Sequence, residues 1–356
     1  MCAIAFAPLA VVRPVSDALH SAPAKCKVRR ARIVAAGDLM QHQPQLYAAR
    51  LADSVTYDFS PSFRYIAPYF RQADLAIVNL ETTLSYEGPF TGYPAFRSPA
   101  SLVDAMYDMG VDVAALANNH CCDKGLRGIR STTAILDSAK ISRVGVYPDT
   151  LDYAARNILY LERCNIRFAI VNYTYGTNGI PIPRGTVVNL LDTVVMARDL
   201  SAINQDEVDC VIAVVHWGNE YELQPNREQR RLAEFMRRNG VDVIIGSHPH
   251  VVQPAESSAD GITLYSLGNF VSNQRTTPRD GGLVATIDVE IIDSLATDGR
   301  VKKTVKNYSL RLTPVWVHLP DYAILPPEVG DTLPMTPDSR FRYNRFMRDT
   351  RSRLNL

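Results

Sequence analysis

The sequence predicts an α/β fold in which short buried strands alternate with amphipathic helices. Six near-continuously apolar runs recur between residues 31 and 250, and helix-like stretches separate them. Runs that are apolar at successive positions are typical of strands covered on both faces. Alternation of such strands with helices indicates a layered α/β architecture. A chain of 356 residues is long enough to bury the sizeable core that this architecture needs.

Each predicted strand is apolar until its last few residues. The six runs are ARIVAAGDLM (31–40), ADLAIVNLE (73–81), VDVAALANNH (111–120), RFAIVNYTY (167–175), VDCVIAVVHWG (208–218) and VDVIIGSHPH (241–250). The helix candidates between them include PASLVDAMYDMG (99–110), GIRSTTAILDSAK (128–140) and NREQRRLAEFMRRNG (226–240). In the last of these, Leu232, Phe235 and Met236 stand at helical spacing, and Gly240 is a typical stop.

The pattern changes after residue 282. Two runs, GLVATIDVEII and KKTVKNYSLRLTPVWVHL, predict successive strands that form or complete a second sheet. Residues 321–356 are rich in proline and then helical. We therefore expect an N-terminal segment (1–30), one domain (31–320) and a C-terminal extension (321–356).

The N-terminal segment leaves the location of the protein open. The run MCAIAFAPLAVV has the length of a signal-peptide core, but no Lys or Arg precedes it. It is either an export signal, which would place the protein outside the cytoplasm or at the cell envelope, or a disordered segment of a cytoplasmic protein. No stretch of 18 apolar residues predicts a membrane-spanning helix.

Charge argues against nucleic acid as a partner. The chain has 38 Lys and Arg against 37 Asp and Glu, a formal net charge of +1. Nucleic-acid binding needs clustered basic residues, so we expect none. The Arg-rich tail (340–356) is a local exception. We interpret it as a solvated terminal helix, with contact to a membrane surface or anionic polymer as the alternative.

Polar side chains collect where the predicted strands end. They are Asp38 with His42, Asn79 with Glu81, Asn118 to His120 with Asp123, His216 with Trp217 and Glu220, and His248 with His250. Ligands of open α/β sheets bind at the carboxyl ends of strands. Imidazole, carboxylate and amide groups together suit Mn, Zn, Fe or Ni better than calcium. The sequence therefore predicts a site for one or two divalent metal ions.

This pattern suits displacement at phosphorus. Two ions bridged by one carboxylate would hold both oxygens of an in-line displacement, and an unligated histidine would donate a proton. His248 and His250, two positions apart in a strand, would point their rings to one face. Their spacing lets one ring serve each ion or both rings serve one.

Six motifs in order resemble the CapA family, named for capsule and poly-γ-glutamate synthesis and similar to the calcineurin-like metallophosphoesterases. The motifs are GDLM, NLE, ANNHCCDKG, HWGNEY, GSHPHVVQP and YSLGNF, and the match covers roughly residues 31–285. The resemblance implies a four-layer α/β/β/α sandwich with a metal site at the sheet edge. It also implies work at the cell envelope, with an anionic polymer or phosphoester as substrate and exopolymer synthesis machinery as partner.

The resemblance assigns roles to particular residues. The implied metal ligands are Asp38, Glu81, Asn119, His216, His248 and His250, with Glu81 bridging. His120 is the implied proton donor, and we place Asp123 with it as catalytic. Met40 stands where the metallophosphoesterase pattern has a histidine, and a thioether is a poor ligand for hard ions. This departure leaves open whether one metal position exists.

A second set of residues is expected to line the substrate pocket or support the ligands. The set is His42, Asn79, Arg97, Asn118, Trp217, Glu220 and Asn269. Arg97 is the candidate contact for an anionic substrate, and Trp217 is expected in the pocket wall, with a core position as the alternative.

The sequence is compatible with three functions. The first is a phosphoesterase-type hydrolase that uses metal-bound hydroxide, with His120 as proton donor. The second is a non-hydrolytic accessory or binding component of exopolymer assembly or export. The third is hydrolysis of an amide, because a two-metal site can activate water for either bond. The oligomeric state is not predicted.

Overall fold

The computed structural model describes residues 26–258, 261–295 and 301–356. In chain order its strands are β1 (Cys26–Leu39), β2 (Leu75–Leu80), β3 (Thr83–Ser85), β4 (Arg97–Pro99), β5 (Val113–Ala115), β6 (Ser142–Val144), β7 (Val146–Tyr147), β8 (Leu159–Arg163), β9 (Ile166–Thr174), β10 (Val187–Val188), β11 (Cys210–His216), β12 (Val243–Ser247), β13 (Ala255–Ser258), β14 (Gly261–Leu264), β15 (Asn269–Val271), β16 (Gly281–Leu295), β17 (Val301–His318) and β18 (Ala323–Leu325).

The helices connect and cover these strands. They are α1 (Gln43–Ala49), α2 (Ser60–Phe63), α3 (Ala67–Arg71), α4 (Ser101–Met109), α5 (Gly125–Ser138), α6 (Thr150–Arg156), α7 (Thr193–Ser201), α8 (Arg227–Arg238), α9 (Pro327–Gly330) and α10 (Pro337–Leu354). Each of the six apolar runs contains a strand, and each of the three quoted helix candidates contains a helix, as predicted.

Two large sheets form the centre of the molecule. The first has the order β18-β17-β16-β1-β2-β5-β6, with β15 also paired to β1. The second has the order β13-β14-β12-β11-β9-β8. Strands β1, β2, β5 and β6 run parallel, as do β9, β11, β12 and β14. The carboxyl ends of the parallel strands within each sheet therefore share one edge.

Alternation along the strands explains how the sheets stack. Ile33 and Ala35 of β1 pack between the two sheets, together with Ile212 of β11. Val34 and Ala36 point the other way, into the core under α1 to α5. The outer face of the second sheet packs against α7 and α8. These layers form the α/β/β/α sandwich that the motifs implied, which confirms that prediction.

The expectation for the region after residue 282 needs correction. Strands β16 and β17 do not build the second sheet. They extend the first one, because β16 pairs antiparallel with β1 from Cys26↔Ser294 to Ala36↔Val284. The second sheet is built from β8, β9 and β11 to β14.

The expected N-terminal boundary is also shifted. Strand β1 begins at Cys26, so residues 26–30 belong to the sheet and not to a separate segment. Arg29 holds this extension in place through Asp209 (2.7 Å) and Asp293 (2.9 Å). The proposed signal run lies outside the described residues.

The C-terminal helix α10 packs on the first sheet. Tyr343, Phe346 and Met347 cluster with Trp316 of β17. The helical expectation for the extension is thus confirmed. Within the residues that the structure describes, none of the helices is long and apolar enough to cross a membrane.

Candidate metal centre

The predicted site residues meet at the carboxyl ends of the parallel strands. In the first sheet Asp38 lies in register with Asn79 on one side and Asn269 on the other. In the second sheet His216 lies in register with Ser247 at the end of β12. Parallel pairing brings residues of the same register to one face of a sheet. Distant parts of the chain therefore converge on one edge.

Asp38, Glu81 and His250 form the centre of this cluster. Each offers one ligand atom, and these atoms all lie within 4.8 Å of one another. Oδ2 of Asp38 is 2.9 Å from Nδ1 of His250, and all three side chains are buried. Two carboxylates and an imidazole at this spacing form a donor set that suits a divalent transition metal.

A second group of donors adjoins Glu81. Nε2 of His216 lies 3.0 Å from Oδ1 of Asn119 and 3.8 Å from Oε1 of Glu81. The same Oε1 lies 3.9 Å from Nε2 of His250. Glu81 therefore stands between two imidazoles, the place that a bridging carboxylate would occupy between two ions.

Buried amides hold the two carboxylates in position. Nδ2 of Asn79 donates to Asp38 (2.9 Å) and to Glu81 (3.3 Å). Asn118 donates in turn to Oδ1 of Asn79 (3.3 Å) and to the Leu80 carbonyl (2.8 Å). Such outer contacts orient metal ligands and are part of a site's affinity.

The amide of Asn119 is oriented from the loop after β9. Asn178 accepts a hydrogen bond from Nδ2 of Asn119 (3.2 Å), which leaves Oδ1 facing His216. Asn178 also accepts from the hydroxyl of Tyr175 (3.3 Å). The Tyr175 ring lies 4.5 Å from the His248 ring.

His248 and His250 do not continue β12, so our expectation of a shared strand face is wrong. The strand ends at Ser247, and both histidines have left-handed backbones, with φ of 97° and 58°. Such conformations are unfavourable for residues with a Cβ and are frequent at functional sites. The turn separates the rings by 6.0 Å: His250 contacts Asp38, and His248 lies 4.8 Å from the His216 ring.

The electrostatics of the buried site fit a bound cation. Burial, reinforced by Asp38, raises the pKa of Glu81 well above its ordinary value, and Oε1 of Glu81 has no hydrogen-bond partner. Burial lowers the pKa of His216 well below its ordinary value and that of His248 to about 4. Neutral imidazoles are ready ligands, and Nδ1 of His248 is also buried without a partner. A bound cation would satisfy these atoms, so the residues present fit a metal.

His120 and Asp123 form a pair beside the cluster. Nδ1 of His120 lies 2.8 Å from Oδ2 of Asp123, which also accepts from the backbone N–H of Phe96 (2.6 Å). The Phe96 ring meets the His120 ring edge to face at 4.6 Å. These contacts fix the imidazole and leave Nε2 without a hydrogen bond to the described residues.

Other predicted residues flank the site. His42 caps α1 and contacts the edge of Phe96, and burial lowers its pKa to about 4. It lies outside the ligand group. Asn269 donates to the Arg279 carbonyl (2.8 Å), and its Oδ1 is buried without a partner. Glu220 is exposed, and its charge helps to raise the pKa of Glu81.

Three positions lie apart from the ligands. Trp217 is in the core between the second sheet and its helices, and it donates to the Tyr265 carbonyl (2.8 Å). It therefore has the core position that we gave as the alternative to the pocket wall. Arg97 lines a separate pocket beside α5. Met40 is buried and is not in the group of atoms within 4.8 Å.

Sequence reasoning missed the supporting residues Tyr175, Asn178 and Ser247. Ser247 lies 2.9 Å from Nδ1 of His216. Tyr175 and Ser247 stand at the ends of predicted strands. The expectation that functional polar groups lie at strand ends could therefore have found them. Asn178 stands in a loop, and nothing local distinguishes it.

Comparison with known proteins identifies relatives of this chain. A family model described as "Bacterial capsule synthesis protein PGA_cap" matches residues 32–274. The PGA biosynthesis protein CapA of Bacillus subtilis (strain 168) is 29% identical over 255 residues, 70% of this chain and 65% of that protein. The capsule biosynthesis protein CapA of Bacillus anthracis is 32% identical over 236 residues, 62% of this chain and 56% of that protein. The matches span less than two thirds of either relative.

A search of solved structures found chains that align with this one. The crystal structure of the calcineurin-like phosphoesterase YfkN from Bacillus subtilis aligns with 91% of this chain and 98% of its own, with a TM-score of 0.42 and 15% sequence identity.

Proposed function

The chain belongs to the family of bacterial capsule synthesis proteins, as its six motifs predicted, and we propose that it is a metal-dependent hydrolase of that family. The proposed substrate is a phosphoester or an anionic precursor of the cell envelope. The proposed partner is exopolymer synthesis machinery. The observation that supports hydrolysis most directly is the buried Glu81 carboxyl between two imidazoles, at 3.8 and 3.9 Å.

The ligand arrangement favours two metal positions that share Glu81. Asp38 and His250 would complete one position, and Asn119, His216 and His248 the other. A bound divalent ion would supply Lewis-acid activation of water and of the scissile group. The native metal is proposed to come from the Mn, Zn, Fe and Ni class, which the donor types favour.

Residues of the chain would manage the proton. Asp123 holds the His120 ring through Nδ1, so Nε2 is the nitrogen that would give its proton to the leaving group. The Phe96 N–H neutralises part of the Asp123 charge and restricts its movement. The pair is thus built to keep one orientation of the ring during turnover.

Metal content and turnover test this proposal together. Wild-type protein should bind about two equivalents of a transition metal and hydrolyse an aryl phosphate in a chelator-sensitive way. His216→Ala should lose metal and activity. His318→Gln, a histidine beside Trp316 on β17, is the matched control and should keep both. Full turnover by metal-free protein would refute the proposal.

A second candidate function is a non-hydrolytic accessory role in polymer assembly or export. Met40 favours it, because this buried thioether stands where the phosphoesterase pattern has a ligand. In that case the protein would bind about one ion and an anionic polymer, without hydrolysing any phosphoester. Metal-dependent turnover lost in the His216→Ala protein would decide against it.

A further inference from the structure

A pocket of 280 Å³ lies between β3 and the first two turns of α5. Its walls carry three basic side chains and no acidic one. The polar lining residues are Thr83, Ser85, Arg97, Lys124, Arg127 and Ser131. We call this the basic pocket.

The basic side chains of the pocket form no ion pair with the described part of the chain. Among the described residues, no carboxylate lies within ion-pair distance of Arg97, Lys124 or Arg127. The first turn of α5 also contains no acidic residue. Three positive charges around one concave surface produce a local potential that favours an anion.

Arg97 is held in place by neutral groups. Its Nη2 donates to Oγ of Ser85 (2.9 Å), and its Nη1 lies 3.5 Å from the Pro89 carbonyl. These contacts orient the guanidinium without cancelling its charge. A fixed guanidinium loses little side-chain entropy when it binds a carboxylate or phosphate.

Two residues of the basic pocket directly follow residues that contact His120. Phe96 donates to Asp123 and packs on His120, and the next residue is Arg97. Asp123 holds His120, and the next residue is Lys124. Consecutive Cα atoms are about 3.8 Å apart, so Arg97 and Lys124 each lie one residue from a side chain that contacts the proposed proton donor His120.

We propose that the basic pocket binds an anionic group of a linear polyanion, one or more units away from the bond at the metal centre. The pairing of pocket and centre rests on the proposed function, but anion binding by the pocket does not. The polymer's repeating groups are carboxylates or phosphates, which arginine and lysine recognise by the same charge-assisted hydrogen bonds. The pocket would thereby select a polymer over a monomeric ester.

Direct binding measurements test this proposal without turnover. The probes are a fluorescent γ-linked glutamate oligomer and an inorganic polyphosphate of similar length, each titrated into chelator-treated full-length protein. The triple variant Arg97→Gln, Lys124→Gln, Arg127→Gln should bind the preferred probe at least about tenfold more weakly. The double variant Lys124→Gln, Arg127→Gln keeps the Arg97 contacts to Ser85 and should show an intermediate loss of affinity. It replaces the triple variant as the test if the triple variant is unstable.

Arg130→Gln is the matched control. Arg130 is an exposed arginine on the same helix that does not line the pocket, so its loss should leave affinity unchanged. Preference for the glutamate oligomer or for polyphosphate would identify the anionic group. Either preference supports the proposal if the pocket variants bind the preferred probe more weakly than wild type. Equal affinity of wild type and pocket variants, or no binding of either probe by the wild type, would overturn it. A wild type that binds the probe in this assay but, when loaded with metal, hydrolyses no phosphoester would refute the proposed function alone.

Discussion

Glu81 is the residue at which burial and function conflict most directly. It is fully buried, faces the Asp38 carboxylate and leaves Oε1 without a hydrogen bond. Its raised pKa means that the folded, metal-free protein keeps a proton that the unfolded chain releases above about pH 4.5. The free energy of unfolding of the metal-free protein therefore falls as the pH rises above about 4.5. A divalent cation would remove the conflict.

Glu81→Gln should separate stability from metal binding. In metal-free protein near neutral pH, the neutral amide should raise the free energy of unfolding by about 1 to 2 kcal/mol, because no buried carboxyl needs a proton. Metal affinity should fall, because the shared anionic ligand is gone. Urea unfolding after chelation and elemental mass spectrometry measure the two effects.

The comparison of metal-free proteins is the decisive one. With metal present, wild type should be the more stable protein, since bound metal stabilises only the folded state. A Glu81→Gln protein that is less stable than wild type after chelation would show that the buried carboxyl does not destabilise the metal-free protein.

Among the elements, β12 depends on a close approach to its neighbour. A Cβ at Gly246 would lie 2.1 Å from the Tyr265 carbonyl oxygen and 2.6 Å from that of Leu264. The Leu267 N–H also donates to the Gly246 carbonyl (3.1 Å). Only glycine lets β12 run this close to the chain around β14 and then turn into His248.

Gly246→Ala should therefore damage both stability and the metal centre. The backbone must move to admit the methyl group, at a cost of about 1 to 3 kcal/mol, and the turn that carries His248 and His250 moves with it. Urea unfolding and metal content are the measurements. Gly176→Ala is the control, because a Cβ there has nothing within 4 Å. Equal metal content in both variants would contradict this account of β12.

On the scale of the whole molecule, the two sheets enclose a site that contains several buried neutral histidines. Burial lowers the pKa of His42 and of His248 to about 4, and it lowers the pKa of His216 well below its ordinary value. In the unfolded chain these rings become charged near pH 6.5. Between these values the unfolded state binds more protons than the folded state, so acid favours unfolding.

Metal-free protein should thus lose stability as the pH falls from about 6.5 to about 4, by about 1 kcal/mol per pH unit for each such histidine. The stability that the neutral histidines contribute is fully present above their unfolded pKa. Its dependence on pH has the opposite sign to the dependence caused by Glu81. Urea unfolding at several pH values measures it. His42→Gln should flatten the profile, whereas a profile parallel to that of wild type would argue against a buried neutral His42.

Much of the fold and the outline of the site could be predicted from the chain itself. Runs apolar at every position must be covered on both faces, so the strands and their layering followed from local pattern. Asp38 and His216 stand at strand ends, where parallel pairing gathers polar groups whatever the details of the loops. Placement of β16 beside β1 could not be predicted, because an antiparallel strand fits the edge of either sheet.

Only the tertiary structure decided how these residues combine. The sequence determined which donors exist, but the left-handed turn sends His250 to Asp38 and His248 to His216. Asn178 orients Asn119, and Arg97 faces a pocket separate from the metal centre. These outcomes depend on side-chain direction and on contacts between residues distant in the chain. Strand periodicity specifies a face of a sheet, whereas the partner on that face is set by packing between the two sheets.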